Sequence, residues 1–462
     1  MTTGGGYSCI IIIGGYGDFY MKLEKFKERD NKKVGILIFT VCCILLITGV
    51  YLYSSFAIYE QDQNFNVING TVEDPGDLYF AFYVDDVISK TMPTKGSGYT
   101  LDTEKSSCTN GATPTLNEDT WSIKVNNLTT THTKCTLYFK ESTPYDECVS
   151  KYGADSIQCS IIADVDTEGC PTVNDDGMVQ VTGEESENGY LCSAPDDYGT
   201  SYYYRGNVTN NYVKFGDYYW RIIRINGDGS IRIIYDGTSA HANGESSEDR
   251  QVGTSAYNFY YDNNAYVGYM YGTLGASTYE DTHANTNAST IKTYLDNWYK
   301  TNIEDKGLSS YISDTLFCND RSIFSGTGIG TDTTYYRWYS SRDVYLTCSN
   351  QNDRFTVDDE VTGNGDLSYP IGLVTTDESY VAGANIHDNT NYYLYTGNSY
   401  FTMTPNSYSG TAYMMLIDSQ GDSGGIGIIG QSRGVKPVVN IKGGALSSGD
   451  GTASNPYRLS GN

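Results

Sequence analysis

From Val34 to Tyr59 the chain carries no charge (VGILIFTVCCILLITGVYLYSSFAIY). An apolar helix of about 20 residues spans a bilayer. A cleaved signal peptide has an apolar core of only about 7–15 residues and ends in a small-residue site. The run fits neither property, so it predicts an uncleaved transmembrane helix over 34–59. Lys22, Lys25, Lys27, Arg29, Lys32 and Lys33 precede it, only partly offset by Glu24, Glu28 and Asp30. Positive flanks stay inside. Residues 21–33 are therefore predicted to be a cytoplasmic flank, with everything after about Tyr59 outside the cell.

Beyond a polar linker at 60–77 the pattern turns to short alternations. LYFAFYV, WSIKV and KCTLYF alternate as half-buried strands do, predicting a small β-sandwich module over 78–141. Residues 142–200 read as an acidic connector pinned by cysteines, and 201–462 are long enough for a substantial core. Near the start of that region Asn226-Gly227-Asp228-Gly229 separates two β-branched runs, a tight-hairpin signal. Ser289–Tyr299 places Ile291, Leu295 and Trp298 on one helical face, with Ser289 or Thr290 as cap. Thr375-x-x-Glu378 is a capping box opening a second helix that stops near Gly383. Strands return in YFTMTP, AYMMLID, GVKPVVNI and NPYRL. The predicted class is α+β and β-rich, behind one transmembrane helix.

Residues 1–20 join a Gly-rich stretch to Ile10–Ile13, and Met21 opens an ordinary basic flank. The reading is an over-extended start with Met21 as the true first residue, and a genuine disordered tail is the alternative.

Composition sharpens this picture. With 44 Tyr, 50 Gly and only 19% charged residues, the chain is too aromatic to be disordered. A net charge of −26 repels phosphate backbones, so nucleic acid is excluded as a partner. Four His leave little material for His-based metal sites, and no cofactor is implied.

Three cysteines, Cys9, Cys42 and Cys43, lie in the tail and the apolar run. The other eight are Cys108, Cys135, Cys148, Cys159, Cys170, Cys192, Cys318 and Cys348. An even count in an oxidising compartment predicts disulfides. Proximity suggests 108–135, 148–159, 170–192 and 318–348, although the middle four allow three connectivities. Cys108, Trp121 and Cys135 resemble the immunoglobulin order of Cys, Trp, Cys, with the cysteines too close to join its two sheets. Asp164, Asp166 and Glu168 before Gly169 resemble the start of a calcium loop. Asp175 stands where that loop needs Glu, and an acidic turn is the simpler reading.

The segments Tyr219–Gly229, Phe317–Arg321, Tyr369–Leu373, Tyr400–Pro405, Gly434–Ile441 and Gly449–Tyr457 together resemble a domain of Gram-positive gut bacterial surface proteins. That domain is related to the C-type-lectin-like fold of formylglycine-generating enzymes and of retroelement variable proteins. The resemblance covers about 185–462. It implies a mixed fold with a twisted antiparallel sheet and two helices. Neither copper chemistry nor calcium-dependent sugar binding carries over: Cys318 and Cys348, the only thiols of 201–462, are expected to be bridged, and the E-P-N, Q-P-D and W-N-D motifs are absent. In the variable proteins the ligand face lies between the Tyr-Phe-Thr-Met-type and Val-Lys-Pro-Val-type strands. The equivalent 400–434 segment offers Tyr400, Asn406, Tyr408, Tyr413, Asp418, Gln420 and Arg433, residues suited to adaptable binding surfaces.

Gly421-Asp422-Ser423-Gly424-Gly425 matches the nucleophile motif of trypsin-like proteases, and Thr238-Ser239-Ala240-His241 faintly echoes their histidine segment. No recognisable Asp segment lies between them. The sequence therefore points to a single-pass plasma-membrane protein with an extracellular, non-enzymatic ectodomain. Its expected partner is a protein or glycan ligand, with a hydrolase or a structural spacer as the alternatives.

Overall fold

In the computed structural model the two β-branched runs around Asn226–Gly229 pair as a hairpin. Ile225 stands opposite Ile231, and Tyr218–Ile225 runs antiparallel to Ile231–Gly237. Gly227 is required at this turn. A Cβ there would lie 2.5 Å from the backbone nitrogen of Gly199. The structure describes residues 6–13, 19–26, 78–118, 120–128, 132–166, 168–181, 188–331, 333–335, 343–384 and 389–459. The predicted membrane span at 34–59 and the linker at 60–77 lie outside them. Among the described residues no helix is long and apolar enough to cross a membrane.

The chain divides into two units, Met1–Glu141 and Ser142–Asn462. In the first, Gly6–Ile13 pairs antiparallel with Phe19–Phe26, placing Ile11 opposite Met21. Further along, Leu78–Val84 lies parallel to Thr133–Glu141, while Tyr99–Leu101 and Ser107–Cys108 pair with the latter antiparallel. A second ribbon joins Thr113–Asn117 to Ser122–Asn126. Phe82, Leu137 and Phe139 of the first sheet and Ile123 and Val125 of the ribbon share one core. Cys108 and Cys135 are bonded across neighbouring strands of a single sheet. Trp121 sits at the ribbon's turn with φ 50°, its indole N–H donating to the Pro93 carbonyl. The immunoglobulin-like Cys–Trp–Cys packing is therefore not formed by these residues.

The second unit is α+β and β-rich. Among the described residues its large sheet has eight strands. Gly189–Asp196 and Gly199–Gly206 lead at one edge, the hairpin above is central, and the Val438–Ile441 strand pairs with Ile231–Gly237. The closing Tyr457–Leu459 strand lies parallel to Tyr212–Phe215. A second sheet is built on Tyr400–Tyr408, Ala412–Ile417 and Gly425–Ile428. Helix Thr290–Tyr299 is capped by the Ser289 hydroxyl, which accepts from the Lys292 N–H. Helix Thr376–Val381 carries the predicted reciprocal Thr375/Glu378 capping box.

The acidic connector at 142–200 belongs to the main core. Helices Pro144–Tyr152 and Ile157–Ile162 bury Cys148, Cys159, Ile161 and Ile162 there. The first is interrupted by Asp146, Glu147 and Lys151, and the second is only six residues long, so neither stands out in the pattern.

All four cysteine pairs are the sequence-neighbour ones: 108–135, 148–159, 170–192 and 318–348.

Two charged clusters lie inside the second unit. In the first, Arg224 donates to Asp196 at 2.6 Å and to Glu378 at 3.1 Å. Arg232 Nε lies 2.6 Å from the same Glu378 oxygen, as an ion pair off the hydrogen-bond direction. Burial pushes the Glu378 carboxyl up, but Arg232, Arg224 and the Thr375 amide outweigh it and hold it below the ordinary range. In the second cluster Asp236 accepts from Arg250 at 2.8 Å, with Lys436 Nζ at 3.5 Å and Arg221 at 3.9 Å. Burial lowers the Lys436 ammonium to about 7, against the partial support of Asp236.

Two outcomes follow from these clusters. Glu378→Gln removes the shared carboxylate from two buried guanidiniums and is expected to cost about 3–5 kcal/mol in urea unfolding at neutral pH. Because the folded Glu378 pKa is depressed, that contribution is present above the ordinary glutamate range and is lost as pH falls through the folded value. Lys436 is the opposite case. Its folded pKa lies below its unfolded one, so the unfolded chain binds more protons between about pH 7 and 10 and stability rises with pH there. Lys436→Met should flatten this rise in thermal unfolding between pH 6 and 10.

Candidate functional site

The strand Tyr400–Tyr408 is held from the helix side. The Thr376 amide donates to the Thr404 hydroxyl at 2.9 Å, and the Thr376 and Thr402 hydroxyls lie 3.1 Å apart. The Met403 N–H donates to the Val374 carbonyl. The first half of the strand is thereby committed to the interior. Tyr400 is fully buried, its hydroxyl donating to the Leu394 carbonyl at 2.8 Å. Asn406 is buried as well, and its amide faces the Met415 sulfur. These two residues, expected on a ligand face, are core residues. Strand alternation is overridden because both faces of this strand are covered.

The remaining candidates reach the surface. Tyr408 and Tyr413 are half-buried. Asp418 is spent on its turn, where one carboxylate oxygen accepts the amides of Gln420 and Asp422. Gln420 is exposed. Arg433 is half-buried and donates to the Gln431 side chain at 2.8 Å.

The stronger feature was absent from the sequence-based set. Phe259, Tyr260 and Tyr261 are consecutive and expose 71%, 62% and 48% of their surfaces. They stand on a fixed backbone. The amides of Tyr257 and Asn258 both donate to the Ile429 carbonyl, the Tyr261 carbonyl accepts from Ala412, and the Phe259 amide donates to the Thr290 hydroxyl at 3.0 Å. The Tyr408 hydroxyl donates to the Asp262 carbonyl at 2.9 Å, bringing one predicted residue beside the loop. Gly430 makes the approach possible, since a Cβ there would lie 2.6 Å from the Tyr261 ring. Phe259 and Tyr260 meet edge-to-face at 5.2 Å, and Tyr260 reaches Tyr266 at 6.3 Å. The available signal was the run Asn258-Phe259-Tyr260-Tyr261-Asp262-Asn263-Asn264, an aromatic triplet among turn formers. In a chain so rich in Tyr it does not stand out.

The protease-like residues are not brought together. Ser423 is fully buried, with its hydroxyl 2.6 Å from that of Ser379. Both ring nitrogens of His241 are engaged elsewhere, Nδ1 with Glu245 and Nε2 with Asp249, each at 2.9 Å. A serine nucleophile needs one imidazole nitrogen as its base, and neither faces Ser423. The calcium-like acids also stay apart. The Asp166 carboxylate accepts the Leu191 amide at 2.7 Å, while Asp164, Glu168 and Asp175 are exposed. Among the described residues no group of three His, Cys, Asp or Glu side chains could hold a metal ion.

No protein-family model, curated protein or solved structure matches the chain.

The burial of Ser423 is directly testable. A fluorophosphonate probe on the folded full-length protein should leave Ser423 unlabelled in peptide mass spectrometry; labelling there would restore the hydrolase reading.

Proposed function

We propose that this chain is a cell-surface recognition protein, tethered by the uncharged 34–59 run and presenting a lectin-like ectodomain to an extracellular protein or glycan. The observation that carries the reading is the Phe259–Tyr261 platform. Apolar rings that could be buried are instead displayed side by side on a hydrogen-bonded loop. Rigid aromatic rings supply contact area at low entropic cost, and rings with a polar edge suit ligands that are part apolar and part hydroxylated. Tyr408, whose hydroxyl meets the Asp262 carbonyl, stands beside the loop. Four closed disulfides support an oxidising compartment, and the basic flank before the tether supports an N-in, C-out orientation.

The test is a glycan array and a panel of mucins probed with full-length protein in detergent. Phe259→Ala/Tyr260→Ala is expected to weaken any bound spot at least about tenfold, as loss of aromatic anchors does. Its melting temperature should stay within about 2 °C of the parent, because both rings are exposed. Binding that survives the double substitution would move the ligand face elsewhere.

A further inference from the structure

Against a net charge of −26, one cleft has the opposite sign. It measures about 440 Å³ and is lined by Lys214, Asp217, Asn302, Lys306, Leu308 and Arg458, with Gly216 at the turn between the first two. Two of its cations are forced together by the sheet. Tyr457–Leu459 runs parallel to Tyr212–Phe215 in a register that sets Lys214 opposite Arg458. Like charges at opposed positions destabilise a strand pair. The pair is not relieved from within. Lys214 is half-buried, and its ammonium donates to the Asp217 main-chain carbonyl at 2.9 Å and lies 4.3 Å from the centre of the Tyr219 ring. Burial lowers its pKa, Asp217 opposes this and Arg458 adds to it. Arg458 is half-buried and makes no ion pair or side-chain hydrogen bond among the described residues. The cleft's one carboxylate, Asp217, is 75% exposed and sits 3.6 Å from Lys306, a contact of little energetic weight.

Three cations and one carboxylate leave two positive charges uncompensated. A guanidinium offers a planar fork to oxyanions, and ammonium groups act as point charges around it. A phosphate monoester carries about −1.5 to −2 at neutral pH, which matches the excess; carboxylates and sulfate esters carry one charge. We propose that the Lys214/Lys306/Arg458 cleft is a binding site for a terminal phosphate group, either free phosphate or the phosphate of a small phosphorylated sugar. The site shares no residue with the aromatic platform and stands or falls independently of the recognition reading. The paired cations of the two strands are then the ligand's counter-charge, and the strain of their apposition is released on binding.

The experiment is titration of full-length protein at constant ionic strength with inorganic phosphate, glucose 6-phosphate and the singly charged sulfate ester glucose 6-sulfate, followed by calorimetry and thermal unfolding. Saturable binding of a phosphate species, with the sulfate ester several-fold weaker, is expected. Tighter binding of glucose 6-phosphate identifies a phosphorylated sugar as the source, and tighter binding of inorganic phosphate identifies the free ion. Arg458→Gln should weaken phosphate at least about tenfold, the loss of one charge-assisted contact, while unfolding at the same or a higher temperature without phosphate because the like-charge pair is gone. Lys306→Gln, on an exposed side chain, should weaken phosphate about threefold and serves if the strand variant misfolds. Absence of a saturable response to either phosphate species, equal affinity for the sulfate ester, or unchanged affinity in both variants overturns the proposal.

Discussion

Glu378 stands where a short helix meets the large sheet, and its carboxylate is shared by two guanidiniums with almost no access to water. A buried charge is tolerated only where its partners are fixed. Helix Thr376–Val381 therefore has one position against the strands Tyr218–Ile225 and Ile231–Gly237. From that helix, Thr376 reaches Thr402 and Thr404, and Ser379 reaches Ser423. The Tyr400–Tyr408 strand and the turn after Ile417 are thus hung from the same anchor. The loop 257–262 is in turn stitched to the second sheet through Ala412 and Ile429. The aromatic platform is several hydrogen-bonded steps removed from Glu378 but inherits its placement from it.

Tyrosine explains how so irregular a chain keeps a defined interior. Tyr212, Tyr269, Tyr279 and Tyr400 bury their rings wholly or in part and each donates a hydroxyl to a main-chain carbonyl, of His241, Ile371, Arg321 and Leu394 in turn. Each ring adds apolar contact while its tip satisfies a carbonyl that no ladder reaches. Much of the second unit is loop, and loops can be buried only where their polar groups are answered. Part of the abundance of Tyr is this internal service. That is why composition alone could not separate the displayed rings at 259–261 from the enclosed ones.

Local features were legible in the sequence and distant ones were not. The hairpin at Asn226–Gly229, the Ser289 cap and the Thr375/Glu378 box depend on residues within a few positions of each other, and all three were readable. Chain proximity suggested the four cysteine pairs that the structure forms, but it left three connectivities open for Cys148, Cys159, Cys170 and Cys192. The role of Glu378 was only half visible, because its cap lies three residues away while Arg224 and Arg232 lie about 150 positions upstream. Tyr400 and Asn406 were placed on a ligand face because the resemblance assigns the 400–434 segment to it as a whole, whereas both faces of their half of the strand are covered. The helix at 144–152 was hidden by Asp146, Glu147 and Lys151 around its one buried residue, and the helix at 157–162 by being only six residues long.

The four cystines are neither nested nor crossed. Each joins a cysteine to the next one along the chain, at separations of 11 to 30 residues. A polypeptide emerging from its N-terminal end presents each thiol's correct partner before any later competitor appears. A chain oxidised in that order would close the native set directly, each bridge complete before the cysteines of the next are present.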